Sequence, residues 1–514
     1  MAEQAKEKKG FKLPSSYSVL FIIIAIMAFF TWIIPAGQYD KDENGGLMAG
    51  TYQQVDSNPQ GFYDVVMAPV RGMLGRDNKL NEGEPNEIEI HTDGAIQVSF
   101  FILMVGGFLG VVTETGALDV GIASIVKKNK GREKLLIPIL MTLFAAGGTT
   151  YGMGEETMAF YPLLVPVMIA VGFDTITGVA IILIGSQIGC LASTVNPFAT
   201  GAASDAAGIS VAQGIGLRFV MWVVLLAISA WYVYNYASKI EKDHTKSYVH
   251  ASREADLEFF KVEEVNAEMT GKQKGALAVF MATFVIMICS LIPWAKFDIH
   301  VFEDLNKAIV NTPFVGELFG KGALPLGDWY FPEITMLFLM MAVLVGIVYR
   351  MKEDRFIEVF MAGVCDLLGV ALIVALARGI QVIMNDGLIT ATILNYGENM
   401  LSGLSSQVFI VLTYIFYLPL SFLIPSSSGL AGATIGIMAP LGEFVNVPKE
   451  LVITAFQSAN GLLNLLSPTS GIVMGALALG HIEIGTWWKF VGKLVAIVMV
   501  VSIAFLILGT FVSF

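Results

Sequence analysis

The chain has 514 residues, of which 55% are hydrophobic and only 14% are charged. A soluble domain usually carries about 25% charged residues, so this composition excludes an ordinary soluble domain and indicates a protein embedded in lipid. The net charge of −12 gives no reason to expect a nucleic-acid partner. Three cysteines in apolar runs and five histidines without ligand spacing predict neither a disulfide framework nor a metal centre.

Apolar runs long enough to cross a bilayer, about 20 residues each, recur along the whole chain. The first run resembles a signal peptide, but no small-x-small cleavage site suited to release follows it, so we interpret it as a retained span. We therefore predict an all-α polytopic membrane protein. The runs are 17–35, 217–234, 277–293, 335–349 and 488–508.

Clusters of basic residues set the predicted orientation, because lysine and arginine next to spans prefer the cytoplasm. They place an N-terminal tail (1–14) and a linker (236–274) in the cytoplasm. Segment 135–173 must then begin and end on the cytoplasmic side. Segment 407–444 must begin and end on the outer side. Both segments have short apolar arms and are predicted to be re-entrant hairpins. Two closely spaced full spans would also return the chain to the side on which it began.

An internal repeat relates the two halves of the chain, 15–235 and 275–514. The predicted orientation puts their equivalent segments on opposite sides, so the repeats are inverted, which is typical of transporters. The first half carries an extra polar insert near 75–93. Matched pairs, about 271 to 278 residues apart, are 154–157 with 431–434, Ser186 with Ser458, and Asn196-Pro197 with Ser467-Pro468.

Each half also contains a broken helix after its hairpin, at 175–212 and at 450–482. Proline opens the carbonyl ladder of a helix, so these breaks expose carbonyls that suit cations and N–H groups that suit carboxylates. Packing and kinking are the alternative roles for such residues. The predicted substrate and ion residues are Thr149, Thr150, Tyr151, Gly152, Thr157, Ser193, Thr194, Asn196, Ser426, Ser427, Ser428, Gly429, Asn464, Ser467, Thr469 and Ser470.

Two carboxylates, Glu155 and Glu156, lie beside the first hairpin tip, and the second half has glycine and alanine there. Carboxylates are costly in a membrane, so we expect them to bind a cationic substrate group, to carry a coupling proton, or to pair with a basic residue. Arg378 lies in an apolar span and either forms a structural pair with Asp366 or holds a substrate carboxylate. Its candidate partners are Asp366, Asn385 and Asp386.

Four motifs carry a resemblance to a known family: 152–162, 193–201, 424–429 and 467–471. They resemble the YfcC-type basic amino acid (arginine/ornithine) antiporters, in the DcuC/ArcD-like branch of the ion-transporter superfamily. The resemblance implies a bacterial cytoplasmic membrane location, a scaffold domain, a transport domain with two opposed hairpins, a homodimer and elevator-like movement. Sodium-using members often have Ser-Asn-Thr at the hairpin tips, and both tips here lack asparagine, which leaves exchange, H⁺ coupling and Na⁺ coupling open.

The leading hypothesis is therefore an amino acid exchanger that works by alternating access and needs no cofactor. The alternative is a sodium- or proton-coupled carrier of C4-dicarboxylates or short-chain acids. An intramembrane serine hydrolase built on Ser428 lacks a histidine base in any apolar span. A channel is disfavoured because inverted broken repeats predict alternating access.

Overall fold

The computed structural model describes residues 16–41, 47–80, 88–92, 94–118, 120, 133–260, 269–292, 294–297 and 299–511. The predicted N-terminal tail, the basic residues at 127–132 and linker residues 261–268 lie outside the described residues. The described chain forms twenty α-helices and four short strands.

The first ten helices are α1 (Ser16–Phe30), α2 (Phe62–Leu74), α3 (Ile96–Glu114), α4 (Leu136–Tyr151), α5 (Tyr161–Ala170), α6 (Thr175–Leu191), α7 (Ala202–Ala207), α8 (Ile215–Lys242), α9 (Arg253–Phe259) and α10 (Gly271–Leu291). The others are α11 (Val301–Asn311), α12 (Val315–Phe319), α13 (Phe331–Tyr349), α14 (Glu353–Asp386), α15 (Ile389–Leu401), α16 (Ser406–Leu423), α17 (Ser427–Phe444), α18 (Lys449–Leu463), α19 (Gly471–Leu479) and α20 (Ile484–Gly509). The strands are β1 (Gly37–Gln38), β2 (Gln53–Gln54), β3 (Arg76–Leu80) and β4 (Ile88–Thr92).

Seven of the described helices are long and apolar enough to cross a membrane: α3, α8, α10, α13, α14, α16 and α20. Two shorter apolar helices, α1 and α6, accompany them. Apolar side chains cover both the buried and the exposed faces of these helices, as expected where the surroundings are lipid. The predicted all-α polytopic fold is therefore confirmed.

Packing divides the helices into two groups, and each group takes helices from both sequence halves. In the α14 group, α14 packs against α1, α2 and α3, while α13 packs against α3 and α10. In the hairpin group, α4, α5, α6 and α8 pack together and meet α16, α17, α18 and α20. Contacts between α14 and α19, and between α3 and the turn after α4, join the two groups. The two sequence halves are therefore interleaved in space.

The polar insert of the first half forms the antiparallel pair β3–β4, with Arg76 opposite Thr92. It separates α2 from α3, whereas the matching part of the second half is the continuous helix α14. Helices α3 and α14 cross at glycines: a Cβ on Gly106 would lie 2.3 Å from the carbonyl oxygen of Gly363. Only glycine allows the two backbones to approach this closely.

The predicted hairpins correspond to α4–α5 and α16–α17, and the predicted broken helices to α6–α7 and α18–α19. At 1.5 Å per residue, the ten residues of α5 extend about 15 Å, half of the hydrocarbon thickness of a bilayer. This length favours the re-entrant alternative, which stays a prediction together with the inverted orientation. Helix α8 continues beyond the predicted boundary at residue 235 and ends at Lys242.

Candidate substrate-binding site

A cavity of about 470 Å³ lies where the turns of the two hairpins meet the two helix breaks and α14. We call it the central cavity. Its volume falls within the range of about 300–1,000 Å³ that is usual for small-molecule sites. Ten of the residues singled out in the sequence line it: Gly152, Glu155, Glu156, Asn196, Arg378, Ser426, Ser427, Ser428, Asn464 and Ser470.

The first hairpin turn leaves α4 through Gly152, whose backbone is left-handed (φ 78°). A 3₁₀ turn over Glu155–Phe160 follows and leads into α5. The turn is closed by its own side chains: Gly154 N–H donates to Glu156 Oε2 (2.9 Å), and Thr157 Oγ1 donates to the Gly154 carbonyl (2.6 Å). Glu156 is therefore held against the backbone at 3% exposure, while Glu155 is half-buried.

The C-terminal end of α4 is tied to the break that follows α6. Thr194 N–H donates to Thr149 Oγ1 (3.0 Å), and Thr194 Oγ1 donates to the Thr149 carbonyl (3.1 Å). These two threonines are buried and do not line the central cavity. The neighbouring Thr150 donates to the Ala146 carbonyl of its own helix (2.7 Å). The side chain of Tyr151 lies outside the described part of the structure.

The first break is shaped by Asn196, whose Oδ1 accepts from Phe198 N–H at 2.8 Å. A π-helical turn over Pro197–Gly201 follows it. Ser193 and Thr200 are hydrogen-bonded through their hydroxyls, and Thr200 Oγ1 donates to Gln457 Oε1 of α18 (2.7 Å). The break of one half is therefore braced by a helix of the other half.

The second hairpin turn is shorter, and its hydroxyls cap α17 and contact α18. Ser426 precedes α17 and accepts from Gly429 N–H (3.2 Å), and Ser427 Oγ donates to Asn460 Oδ1 of α18 (2.8 Å). Asn464 ends α18 and faces the cavity beside this pair. The N-terminus of α17, which carries orphan N–H groups and the positive end of a helix dipole, thus faces the central cavity.

The second break is closed locally. The hydroxyls of Ser467 and Thr469 are hydrogen-bonded (2.7 Å), and Thr469 Oγ1 also donates to the Phe422 carbonyl of α16 (2.6 Å). Both residues are buried away from the cavity, and Ser470, the residue before α19, lines it. The two breaks thus each contribute one predicted residue to the wall, and Thr194 and Thr469 tie the breaks to the hairpins.

Arg378 lies on the cavity wall without an acidic partner. Its Nη1 donates to Gln381 Oε1 (3.2 Å), and it forms no ion pair within 4.0 Å among the described residues. The predicted pair with Asp366 is wrong, because twelve helical positions separate them by about 18 Å along α14 and Asp366 is exposed. Arg378 instead lines the central cavity together with Glu155.

The remaining candidate partners of Arg378 lie at the C-terminal end of α14. Asp386 is 1% exposed and pairs with Arg71 (3.4 Å) and Arg76 (3.3 Å). Asn385 Nδ2 donates to Thr92 Oγ1 (2.9 Å). These residues therefore hold the β3–β4 insert to α14 and are not part of the cavity.

Sequence reasoning missed several amides and three aromatic residues of the cavity, namely Phe198, Tyr330 and Phe331. Gln381 lies one turn after Arg378, and this spacing places both residues on one helix face. Gln187 of α6 and Phe198 of the π-helical turn also line the cavity. No group of three or more His, Cys, Asp or Glu side chains in the described ranges could hold a metal ion.

Comparisons with known proteins show which family the chain belongs to. The sequence profile of the DcuC family, described as "C4-dicarboxylate anaerobic carrier", matches residues 13–511. An uncharacterized protein of Haemophilus influenzae is 29% identical over 548 residues, covering 97% of each chain. The "Putative basic amino acid antiporter YfcC" of Escherichia coli is 28% identical over 532 residues, covering 97% of this chain and 96% of the relative.

Among solved structures, MtrF of Neisseria gonorrhoeae, which represents a class of antimetabolite efflux pumps, is 14% identical with a TM-score of 0.43, over 98% of this chain and 97% of that chain. The family match extends over nearly the whole sequence, and seven described helices can cross a membrane. The chain is therefore a multi-pass membrane transporter that belongs to the DcuC family.

Proposed function

We propose that this transporter exchanges basic amino acids of the arginine and ornithine kind by alternating access, across a bacterial cytoplasmic membrane. The observation that carries the proposal is the charge pattern of the central cavity. Its described wall has two acidic residues, Glu155 and Glu156, and one basic residue, Arg378. Hydroxyls and amides supply the rest of its polar surface.

This pattern is the complement of a basic amino acid. Such a substrate carries two positive groups and one carboxylate, while the wall carries two carboxylates and one guanidinium. Arg378 and the N-terminus of α17 suit the substrate carboxylate, and Glu155 with Glu156 suits the two cationic groups. A dicarboxylate would instead meet the like charges of Glu155 and Glu156 in a low-dielectric cavity, which is unfavourable by about several kcal/mol.

Alternating access is supported by the arrangement of the two repeats. Each repeat contributes a hairpin turn and a helix break to one shared cavity, as expected for transporters with binding sites between inverted repeats. The α14 group and the hairpin group would serve as the scaffold and transport domains, in a homodimer with elevator-like movement. We also propose that the N-terminus lies in the cytoplasm, as the basic residues near it predict.

A coupled carboxylate carrier is the second candidate. It is favoured by a specific observation: Arg378 has no ion-pair partner among the described residues, and it faces a helix N-terminus. The description of the DcuC family points in the same direction. In this case Glu155 and Glu156 would act as proton carriers and not as ligands of a cation.

The test is counterflow in proteoliposomes. Vesicles loaded with ornithine should take up labelled arginine, and empty vesicles should not. Absence of uptake, together with no shift of the melting temperature by either amino acid, would overturn the proposal. Succinate uptake driven by a sodium or proton gradient, in the same preparation, would establish the second candidate in its place.

A further inference from the structure

The helix that follows the first break caps that break with a charged side chain. Arg218 is the fourth residue of α8 and is completely buried. Its Nη2 donates to the carbonyl of Thr194, inside the break (3.2 Å), and to the carbonyl of Val211 (2.7 Å). Two backbone carbonyls from the first half are therefore held by one guanidinium.

The second half carries the same device with neutral side chains. Trp487 is the fourth residue of α20, and its Nε1 donates to the carbonyl of Leu465 (2.8 Å). The next residue, Trp488, donates its Nε1 to the carbonyl of Leu466 (2.8 Å). Both carbonyls belong to the second break, between α18 and α19.

The repeat alignment makes the two caps equivalent. Thr194 lies two residues before Asn196 in the first break, and Leu465 lies two residues before Ser467 in the second. Each of these carbonyls is bonded by the fourth residue of the next long helix. The geometry is therefore shared between the halves, and the difference between them is the charge of the cap.

Capping alone does not explain an arginine at this position. A buried guanidinium costs several kcal/mol unless a counter-charge compensates it, and a positive side chain in the first turn of a helix opposes the helix dipole. Glu450 acts on Arg218 from a distance, but no ion pair within 4.0 Å forms among the described residues. The indoles of the second half show that neutral donors can hold such carbonyls at lower cost.

We infer that Arg218 supplies, as a fixed part of the protein, the positive charge that a coupling cation would otherwise bring to the first break, so that exchange needs no sodium. Carbonyls freed at the ends of half-helices are the groups that coordinate Na⁺ in transporters with broken helices. Here the guanidinium already occupies those of Thr194 and Val211. Its charge also repels a second cation at the same carbonyls. The inference rests on the proposed exchange function.

The first experiment uses the wild-type protein in two salts. Arginine–ornithine exchange is measured in proteoliposomes with sodium or with N-methylglucamine as the cation on both sides. The expected rates agree within about twofold, because a fixed charge leaves no binding step to couple. The melting temperature of the purified protein should likewise be the same in both salts. A sodium-specific rise in either quantity would overturn the inference.

The second experiment separates charge from hydrogen bonding. Arg218→Lys keeps the charge, Arg218→Gln keeps donors without charge, and Arg218→Trp copies the neutral cap of the second half. We expect Arg218→Lys to retain exchange and the two neutral variants to lose at least about tenfold, in line with the loss of a buried charge interaction. Sodium should raise the melting temperature of Arg218→Gln, since the shorter amide carries no charge to repel a cation and does not reach both carbonyls. Equal activity in Arg218→Gln and Arg218→Lys would show that Arg218 is only a hydrogen-bond donor.

Trp487→Phe is the matched control for folding. It removes the equivalent donor from the second break, so it should lower the melting temperature without creating a sodium response. The melting measurements need no substrate and therefore remain informative if arginine is not transported. In that outcome the proposed exchange fails, while a sodium response in Arg218→Gln that the wild type lacks would still support the role of Arg218.

Discussion

The two hairpin turns occupy equivalent places in the repeat, and they differ in chemistry. The first turn folds as a 3₁₀ segment that presents Glu155 and holds Glu156 against Gly154. The second turn enters α17 directly through Ser426 and Ser427, and it presents hydroxyls and a helix N-terminus. One repeat therefore offers negative charge to the cavity and the other offers hydrogen-bond donors. An asymmetric substrate with charged groups at both ends can use this difference.

The largest expected effect comes from removing the acid of the first turn. Glu155→Gln should lower arginine exchange by about 100-fold, since truncating one partner of a desolvated charge pair costs about 3 kcal/mol. The effect is measured as counterflow in proteoliposomes. Asp366→Asn is the matched control: it neutralises an exposed carboxylate of α14 far from the cavity, and it should leave exchange unchanged. Full activity in Glu155→Gln would contradict the assignment of the cation site.

The second prediction concerns Arg378, the basic residue of the cavity. Arg378→Gln should lower exchange by about 30-fold, or about 2 kcal/mol, since Gln381 and the α17 N-terminus still contact the substrate carboxylate. Arginine methyl ester, which lacks the carboxylate, should bind the variant and the wild type equally in a thermal-shift titration. A variant that loses affinity for the ester as strongly as for arginine would show that Arg378 does not recognise the carboxylate.

The fit between the first turn and the first break is tested through Gly152. A Cβ at this position would lie 2.3 Å from Asn196 Oδ1, and the residue has positive φ. Gly152→Ala should therefore lower the free energy of unfolding by about 2 kcal/mol, from left-handed strain plus the clash. Gly208→Ala, at φ 66° with open space around it, should cost about 1 kcal/mol from strain alone. Equal melting temperatures for the two variants would contradict a tight contact at Asn196.

The smallest effect is expected at the second turn. Ser427→Ala removes one hydrogen bond, to Asn460, and should weaken arginine binding by about fivefold, or about 1 kcal/mol. Isothermal titration measures this change, with Ser402→Ala, on an exposed loop, as the control. A loss as large as that of Glu155→Gln would mean that the hydroxyl turn, and not the acidic turn, dominates recognition.

The sequence was sufficient to predict the helices and ten of the residues that line the cavity, because both follow from patterns in the sequence. Apolar runs determine the spans, and the repeat marks the two turns and two breaks at matched positions. The alignment of the repeat was also sufficient to show that Glu155 and Glu156 are acidic where the second half has glycine and alanine. The inverted orientation and the re-entrant course of the hairpins remain predictions.

The sequence could not predict which charges meet. The sequence predicts Asp366 as the structural partner of Arg378, because both lie in one apolar span. Helical geometry separates Asp366 from Arg378 by about 18 Å, and Asp386 pairs with Arg71 at the end of α2 and Arg76 of β3. Arg218 was read as part of an apolar span, and its contact with Thr194 depends on tertiary packing that no local pattern encodes.

The length of helix α14 determines how this helix lies in the membrane. Its 34 residues extend about 51 Å, well beyond a hydrocarbon core of about 30 Å, so it must lean in the membrane or protrude from it. Arg355 with Glu114 anchors one end, and Asp386 with two arginines anchors the other. Arg378 therefore lies on a helix with ion pairs at both ends, while Glu155 belongs to the hairpin group. If the hairpin group moves along α14, as the proposed elevator-like movement requires, the distance between the charges of Arg378 and Glu155 increases in the empty site. A bound zwitterion would screen both charges during this movement.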